Sequence, residues 1–290
     1  GDTGLRAGSI ALASMLGQEK ASASQLQAPL PGLPHFAPKA KRLIYLHMNG
    51  APSQLDLWDY KPQLQAHFDK DLPESIRKGQ RITTMTSGQA RFPIAPSKYN
   101  FSQFGQCGMW LNSDLLPNLG KHADEICWMR SLNTEAINHE PAICAMQTGN
   151  QITGRPCLGS WASYGLGSMN EDLPTFVVMV ARPTNQEQMQ AISARLWSSG
   201  ALPGAHAGVS FRTSGDPILF LENPRGVSDA VRRRTLDGIG ELNQRLLDDI
   251  GDPQTRTRME QYELAYRMQS TAPEAVDVHK ETAATRALYG

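Results

Sequence analysis

At 290 residues the chain is long enough to bury one large α/β core or two smaller ones. Charged residues make up 19% and the hydrophobic set 40%, the balance of an ordinary globular protein. The 28 basic and 28 acidic residues cancel, which argues against a dominant nucleic-acid or anionic-membrane partner, since both need a basic face.

Leu5 to Leu16, LRAGSIALASML, is a short apolar run rich in Ala, Gly and Ser. It is too short to span a bilayer and lacks the polar face of a docked amphipathic helix. It reads as the apolar region of an export signal whose charged start is missing from the chain. A small, polar segment from Gln18 to Gln27 follows, then Pro29, Pro31, Pro34 and Pro38 as a spacer. Residues 1–40 are therefore expected to be a partial export signal and spacer, and 41–290 the folded part. The protein is expected to be exported, to the periplasm or the exterior. No later segment approaches transmembrane length.

Arg42 to Met48, RLIYLHM, is dense in apolar and β-branched residues and ends at the turn cluster Asn49-Gly50-Ala51-Pro52. Apolar on both faces, it suits the centre of a parallel sheet. Asp71 to Ser102 reads as an irregular excursion. Asp114 to His122 reads as a helix, Ile126 to Leu132 as a second core strand, Glu140 to Gln147 as a helix with Pro141 in its first turn, and Ser160 to Leu166 as a short helix. Thr175 to Ala181 is the third strand. Arg232 to Ile250 and Pro253 to Gln269 carry helical periodicity, with Leu236, Ile239, Leu242, Leu246 and Ile250 on one stripe. The run Arg232 to Arg234 reads as a solvated face of the first of these helices. The fold class is α/β, a mainly parallel sheet flanked by helices. Three strands are fewer than the roughly five or six of a usual sheet. Further strands are expected past Gly290, with this chain the N-terminal part of a longer domain.

Cys107, Cys127, Cys144 and Cys157 form no C-x-x-C pair, which disfavours a structural zinc knuckle. Cys127 and Cys144 lie in apolar runs and read as core residues. Gly154 to Gly159 lacks the Walker lysine and the G-x-G-x-x-G spacing, and Ala162 breaks a G-x-S-x-G elbow.

Two segments could carry chemistry. The loop from Asn49 to Asp59 places Ser53, Asp56 and Asp59 after the first strand, and ligands of open α/β sheets bind at the carboxyl ends of strands. Asp56 and Asp59, three apart, share a helical face and could hold a divalent cation; alternatively Ser53 or Asp56 caps the next helix. His139 precedes Glu140-Pro141 at a helix N-terminus, where an anion is favoured and a histidine could ligate metal or move protons. A hydrogen-bonded structural histidine is the alternative.

The stretch His139-Glu140-Pro141-Ala142-Ile143-Cys144-Ala145-Met146-Gln147-Thr148-Gly149 resembles the sulfatase pattern C-x-P-x-R-x-x-L-x-T-G. Pro141, Thr148 and Gly149 coincide with it; His139 stands at the nucleophile position and Ile143 at the arginine. Asn49 stands where the first strand of that superfamily ends in metal-binding aspartate. The ordered blocks NGAPSQLDLWDYKP, LLPNLGKHADEICWMRSLNTEAINHEPAICAMQTG, GRPCLGSWASYGLGS, LPTFVV and YELAYRMQSTAPEAVD resemble the exported bacterial family catalogued as domain of unknown function 1501. That resemblance implies a sulfatase-like fold in the alkaline phosphatase superfamily, a twin-arginine export signal and a continuation past Gly290.

Two functions are expected from this. One is a metal-dependent hydrolase of sulfate or phosphate esters, small or polysaccharide, using zinc, calcium or manganese. Its catalytic residues would be His139 and Ser53, and its metal ligands Asp56, Asp59 and His139. The other is a non-catalytic exported binding or envelope protein on the same scaffold. No nucleic acid and no membrane span are expected.

Overall fold

The computed structural model describes residues 29–77, 86, 88–181, 193–212, 218 and 222–289. The expected export stretch Leu5 to Leu16 lies outside them. The chain divides into two compact units. One takes its described residues from 44–146 and 150–152, the other from 1–43, 147–149 and 153–290.

The 44–146 unit is organised by an antiparallel hairpin, β1 (Phe101–Phe104) and β2 (Met109–Asn112), with Phe101 opposite Asn112 and Phe104 opposite Met109. The turn between them contains Gly105 and Gly108, both at positive φ, where glycine carries no steric penalty. Asp124 fixes this turn: its carboxylate accepts the backbone N–H groups of Gln106 and Cys107, each at 2.8 Å. Those two donors hold the Asp124 carboxyl below its ordinary range. Met109, Leu111 and Ala123 form the buried core, with Trp58, Phe104 and Trp128 packed on it. Short helices α1 (Gln54–Leu57), α2 (Glu74–Arg77) and α3 (Pro117–Gly120) surround the hairpin in sequence, and α4 (His139–Thr148) buries Ile143 and Cys144.

In the other unit, α5 (Leu158–Leu166) presents Ser160, Ser163, Tyr164 and Gly165 to the interior. The backbone N–H of Leu30 donates to the carbonyl of Gly165 at 3.0 Å, so the proline-rich segment has a seat on this helix. Strands β3 (Val177–Met179) and β4 (Val209–Phe211) pair in parallel. Two long helices follow, α6 (Asp229–Ile250) and α7 (Pro253–Ala275). Ser228 caps the first by accepting from Val231 N, and Asp252 caps the second by accepting from Gln254 N. Gly251, left-handed at φ 73°, ends α6 and turns the chain back. Met268 and Ala272 on α7 bury against Phe211 of β4, joined by Leu173, Val177 and Leu264. A last helix, α8, covers Ala283–Tyr289.

Two of the three expected core strands are absent. Arg42–Met48 forms no strand, and Leu43, Ile44, Leu46 and Met48 stand exposed. Ile126–Leu132 forms no strand either: Ile126 and Trp128 turn inward while Cys127 and Met129 face solvent. A strand exists by its ladder, and neither segment has a hydrogen-bonded neighbour among the described residues. Trp128 instead anchors its segment, donating its indole N–H to the Ala123 carbonyl at 3.0 Å. The reading of Cys127 as a core residue is corrected with it; Cys144 is buried as expected. Thr175 to Ala181 does contain a strand, β3, because Val209–Phe211 pairs with it. The described fold is thus mixed helix and strand with two two-stranded sheets. No described helix is long and apolar enough to cross a membrane.

Arg234 faces solvent as expected, whereas Arg232 and Arg233 are tied to neighbours. Arg232 donates to Asn223 Oδ1 at 3.2 Å, and Arg233 bridges Asp237 at 2.7 Å and Glu263 of α7 at 2.9 Å.

A buried polar cluster sits beneath α5. Ser163 Oγ and His206 Nδ1 share a 2.9 Å hydrogen bond, Tyr164 meets the imidazole edge-on, and His206 Nε2 is buried with no partner. Burial lowers the pKa of His206, because desolvation disfavours the imidazolium. The unfolded chain binds a proton at about pH 6.5, where the folded chain resists it. The stability His206 contributes is therefore complete above that pH and is lost as pH falls below it. The expected result is that the melting-temperature advantage of wild type over His206→Gln shrinks between pH 7.5 and 5. A constant difference across that range would contradict the assignment.

Candidate functional site

Of the sequence-expected residues, Ser53, Asp56, Asp59 and His139 all fall in the 44–146 unit. Ser53 occupies the N-cap position of α1 but makes no side-chain capping bond. The hydroxyls of Ser97 and Ser53 lie beside the Asp56 carboxylate. Ser97, Ser53 and more weakly the Lys98 charge hold the Asp56 carboxyl below its ordinary range, so it is an anion at neutral pH. The turn is pinned from beneath. Asn112, wholly buried at the end of β2, donates its amide to the Asp56 carbonyl and accepts from the backbone N–H of Asp114 at 2.9 Å and Leu115 at 2.8 Å. Tyr60 stacks on Phe101, centroids 4.9 Å apart, and tilts against Trp110 at 4.6 Å.

Asp59 points into a different environment. Lys61 bonds it at 3.0 Å and Arg130 at 3.3 Å, and these cations, Lys61 foremost, lower its pKa. Asp56 thus lies beside hydroxyls and Asp59 beside two cations. His139 opens α4 and is exposed. Among the described residues no hydrogen bond or ion pair links His139 to Ser53, Asp56 or Asp59. No group of three or more His, Cys, Asp or Glu is disposed to hold a metal ion among the described residues. Ile143, at the position of the arginine in the sulfatase pattern, is buried in the apolar face of α4.

One family model matches residues 40–290, 251 of the 290, and is described as protein of unknown function (DUF1501). The chain belongs to this family. No curated protein and no solved structure matches it.

Ser97, Asn112, Lys61 and Arg130 of this DUF1501 chain were not legible as site residues. Lys61 lies two residues from Asp59 and carried a weak local signal. Ser97 and Asn112 reach Asp56 from 41 and 56 positions away, and only the hairpin fold brings them there.

Proposed function

We propose that this DUF1501 chain is an exported sulfatase-like α/β protein and a metal-dependent hydrolase of sulfate or phosphate esters, small or polysaccharide. The single observation that supports this reading is the Asp56 carboxylate itself, held ionised beside Ser97 and Ser53 on a turn fixed by the buried Asn112 amide. Hard oxygen donors around a carboxylate suit calcium or manganese, and zinc also accepts carboxylate oxygen. Asp56 would hold the cation, which, when bound, would act as a Lewis acid toward the ester oxygens. His139, at the N-terminus of the ten-residue α4, would face the anionic group that the helix end favours. The apolar run Leu5 to Leu16 supports export to the periplasm or exterior.

A second reading, a non-catalytic exported binding or envelope protein on this scaffold, is favoured by a different observation. Lys61 and Arg130 already neutralise Asp59, and Ile143 offers no cation to an ester. Titration calorimetry with calcium, manganese and zinc separates the two, alongside a panel of sulfate and phosphate esters. The expected result is cation binding weakened at least about tenfold in Asp56→Asn, since losing even an outer-shell partner costs about that much, and turnover abolished by Asp56→Asn and reduced by His139→Ala. Ester binding without turnover, unaffected by either substitution, would support the second reading. Absence of cation binding would sink the first.

A further inference from the structure

Glu260 stands on α7 in a groove against α6, lining a cavity of about 670 Å³ between the two helices. Leu236, Ile239, Leu247 and Met259 supply apolar wall to it. Both Glu260 carboxylate oxygens are shielded from solvent, and neither has a hydrogen-bond partner. The charged and titratable neighbours lining the groove are Arg233, Asp237 and Glu241 from α6, and Arg256, Tyr262 and Glu263 from α7. Arg233 is engaged by Asp237 and Glu263. Arg256, one turn before Glu260, acts on it only as a charge through space. The turn Gly204–His206 also packs against α7, where Gly204 lies beside Thr257 and Gln261, and its titratable group, His206, is bonded to Ser163.

A buried carboxyl without donors is stable there as the neutral acid and unstable as the bare anion. We propose that Glu260 is a proton-operated latch on the α6–α7 hairpin. Protonated, the carboxyl stays in the groove and the helices pack over it. Ionised, it must reach water, and the hairpin loosens along the Glu260 turn. Gly240, on the facing wall, leaves open space there: a Cβ at this position would meet nothing within 4 Å. Burial raises the Glu260 pKa from 4.5 to about 7, the Arg256 charge opposing this more weakly. Because the folded value lies above the unfolded one, the stabilisation is complete below about pH 4.5 and is lost as pH rises through about 7. This runs opposite to His206, so the two groups are separable.

The test is amide hydrogen exchange over residues 229–275 of the full chain, corrected for intrinsic rates, at pH 5.5 and 8. Wild type is expected to lose protection in the hairpin by about tenfold at the higher pH, a figure reduced from the full pKa shift for solvent exposure. Glu260→Gln is expected to keep its protection at both, and Glu241→Gln, from the facing wall, to behave like wild type. A Glu260→Gln variant that tracks wild type, or a Glu241→Gln variant that abolishes the response, would overturn the latch. Should Glu260→Gln fail to fold, carbon-13 titration of the wild-type carboxyl decides: a midpoint near 7 supports the latch and one near 4.5 overturns it.

Discussion

Replacing Asn112 with leucine is expected to destabilise the 44–146 unit by about 3 kcal/mol. The side chain is wholly buried and makes three bonds, one to the Asp56 carbonyl and two from the N–H groups of Asp114 and Leu115. Leucine has the same branching and heavy-atom count, so no cavity forms; the loss falls on hydrogen bonding, with some crowding from the larger methyl groups. Each buried backbone group left unpaired costs about 1–3 kcal/mol. Asp114 and Leu115 are partly open to water and recover some of this, which brings the sum toward the lower end. Asn112→Asp keeps the acceptor but sets a wholly buried carboxylate against the Asp56 carbonyl, and should cost at least as much. Urea unfolding followed by tryptophan emission reads this, because Trp58, Trp110 and Trp128 all belong to this unit. A change below about 1 kcal/mol for Asn112→Leu would mean that the amide does not hold the Asp56 turn.

Gly200→Ala is expected to be comparably severe in the other unit. Gly200 sits at φ 55°, and a Cβ there would stand 2.5 Å from Pro156 N and 2.6 Å from the Arg155 carbonyl carbon. These are backbone atoms and cannot turn aside as a flexible side chain would. The left-handed conformation alone costs alanine about 1–2 kcal/mol, and relieving the overlap adds on the order of 1–3 kcal/mol by moving one segment. That movement would strain the hydrogen bond from Cys157 N to Ser198 O, which ties the same two segments together. The expected loss is about 3 kcal/mol, read as a fall in melting temperature, with the serine variant behaving like alanine. A Gly200→Ala protein that melts with wild type would show that the two segments do not approach this closely.

The helices were the most legible part of the chain. Arg232 to Ile250 and Pro253 to Gln269 were legible from their helical period, and the helices extend beyond these bounds to Asp229 and to Ala275. Glu140 to Gln147 and Ser160 to Leu166 were found for the same reason and extend by one or two residues at their ends. Strands were less legible, since pairing is not local. Arg42–Met48 has the composition of a central strand and no ladder, whereas Val209–Phe211, three residues beside a Gly- and Ala-rich turn, has little composition and a ladder with β3. The Phe101–Asn112 hairpin was hidden because its turn depends on Asp124, seventeen or more positions away. At the candidate site, Ser53, Asp56 and Asp59 could be named from one loop. That Asp56 is dressed by hydroxyls and Asp59 by cations could not, because Ser97 and Arg130 arrive through the fold.

The stacking of Tyr60 between Phe101 and Trp110 gives the Asp56 turn a built-in optical channel. Tyr60 follows Asp56 by four residues, just past the end of α1, and its ring centroid is 4.6 Å from that of the Trp110 indole. An occupant of the Asp56 turn whose binding moves Tyr60 changes the tilt of its ring against that indole. Coupled aromatic transitions respond to such a tilt in near-ultraviolet circular dichroism. Ligands for this turn can therefore be sought in the unlabelled protein before any substrate is known.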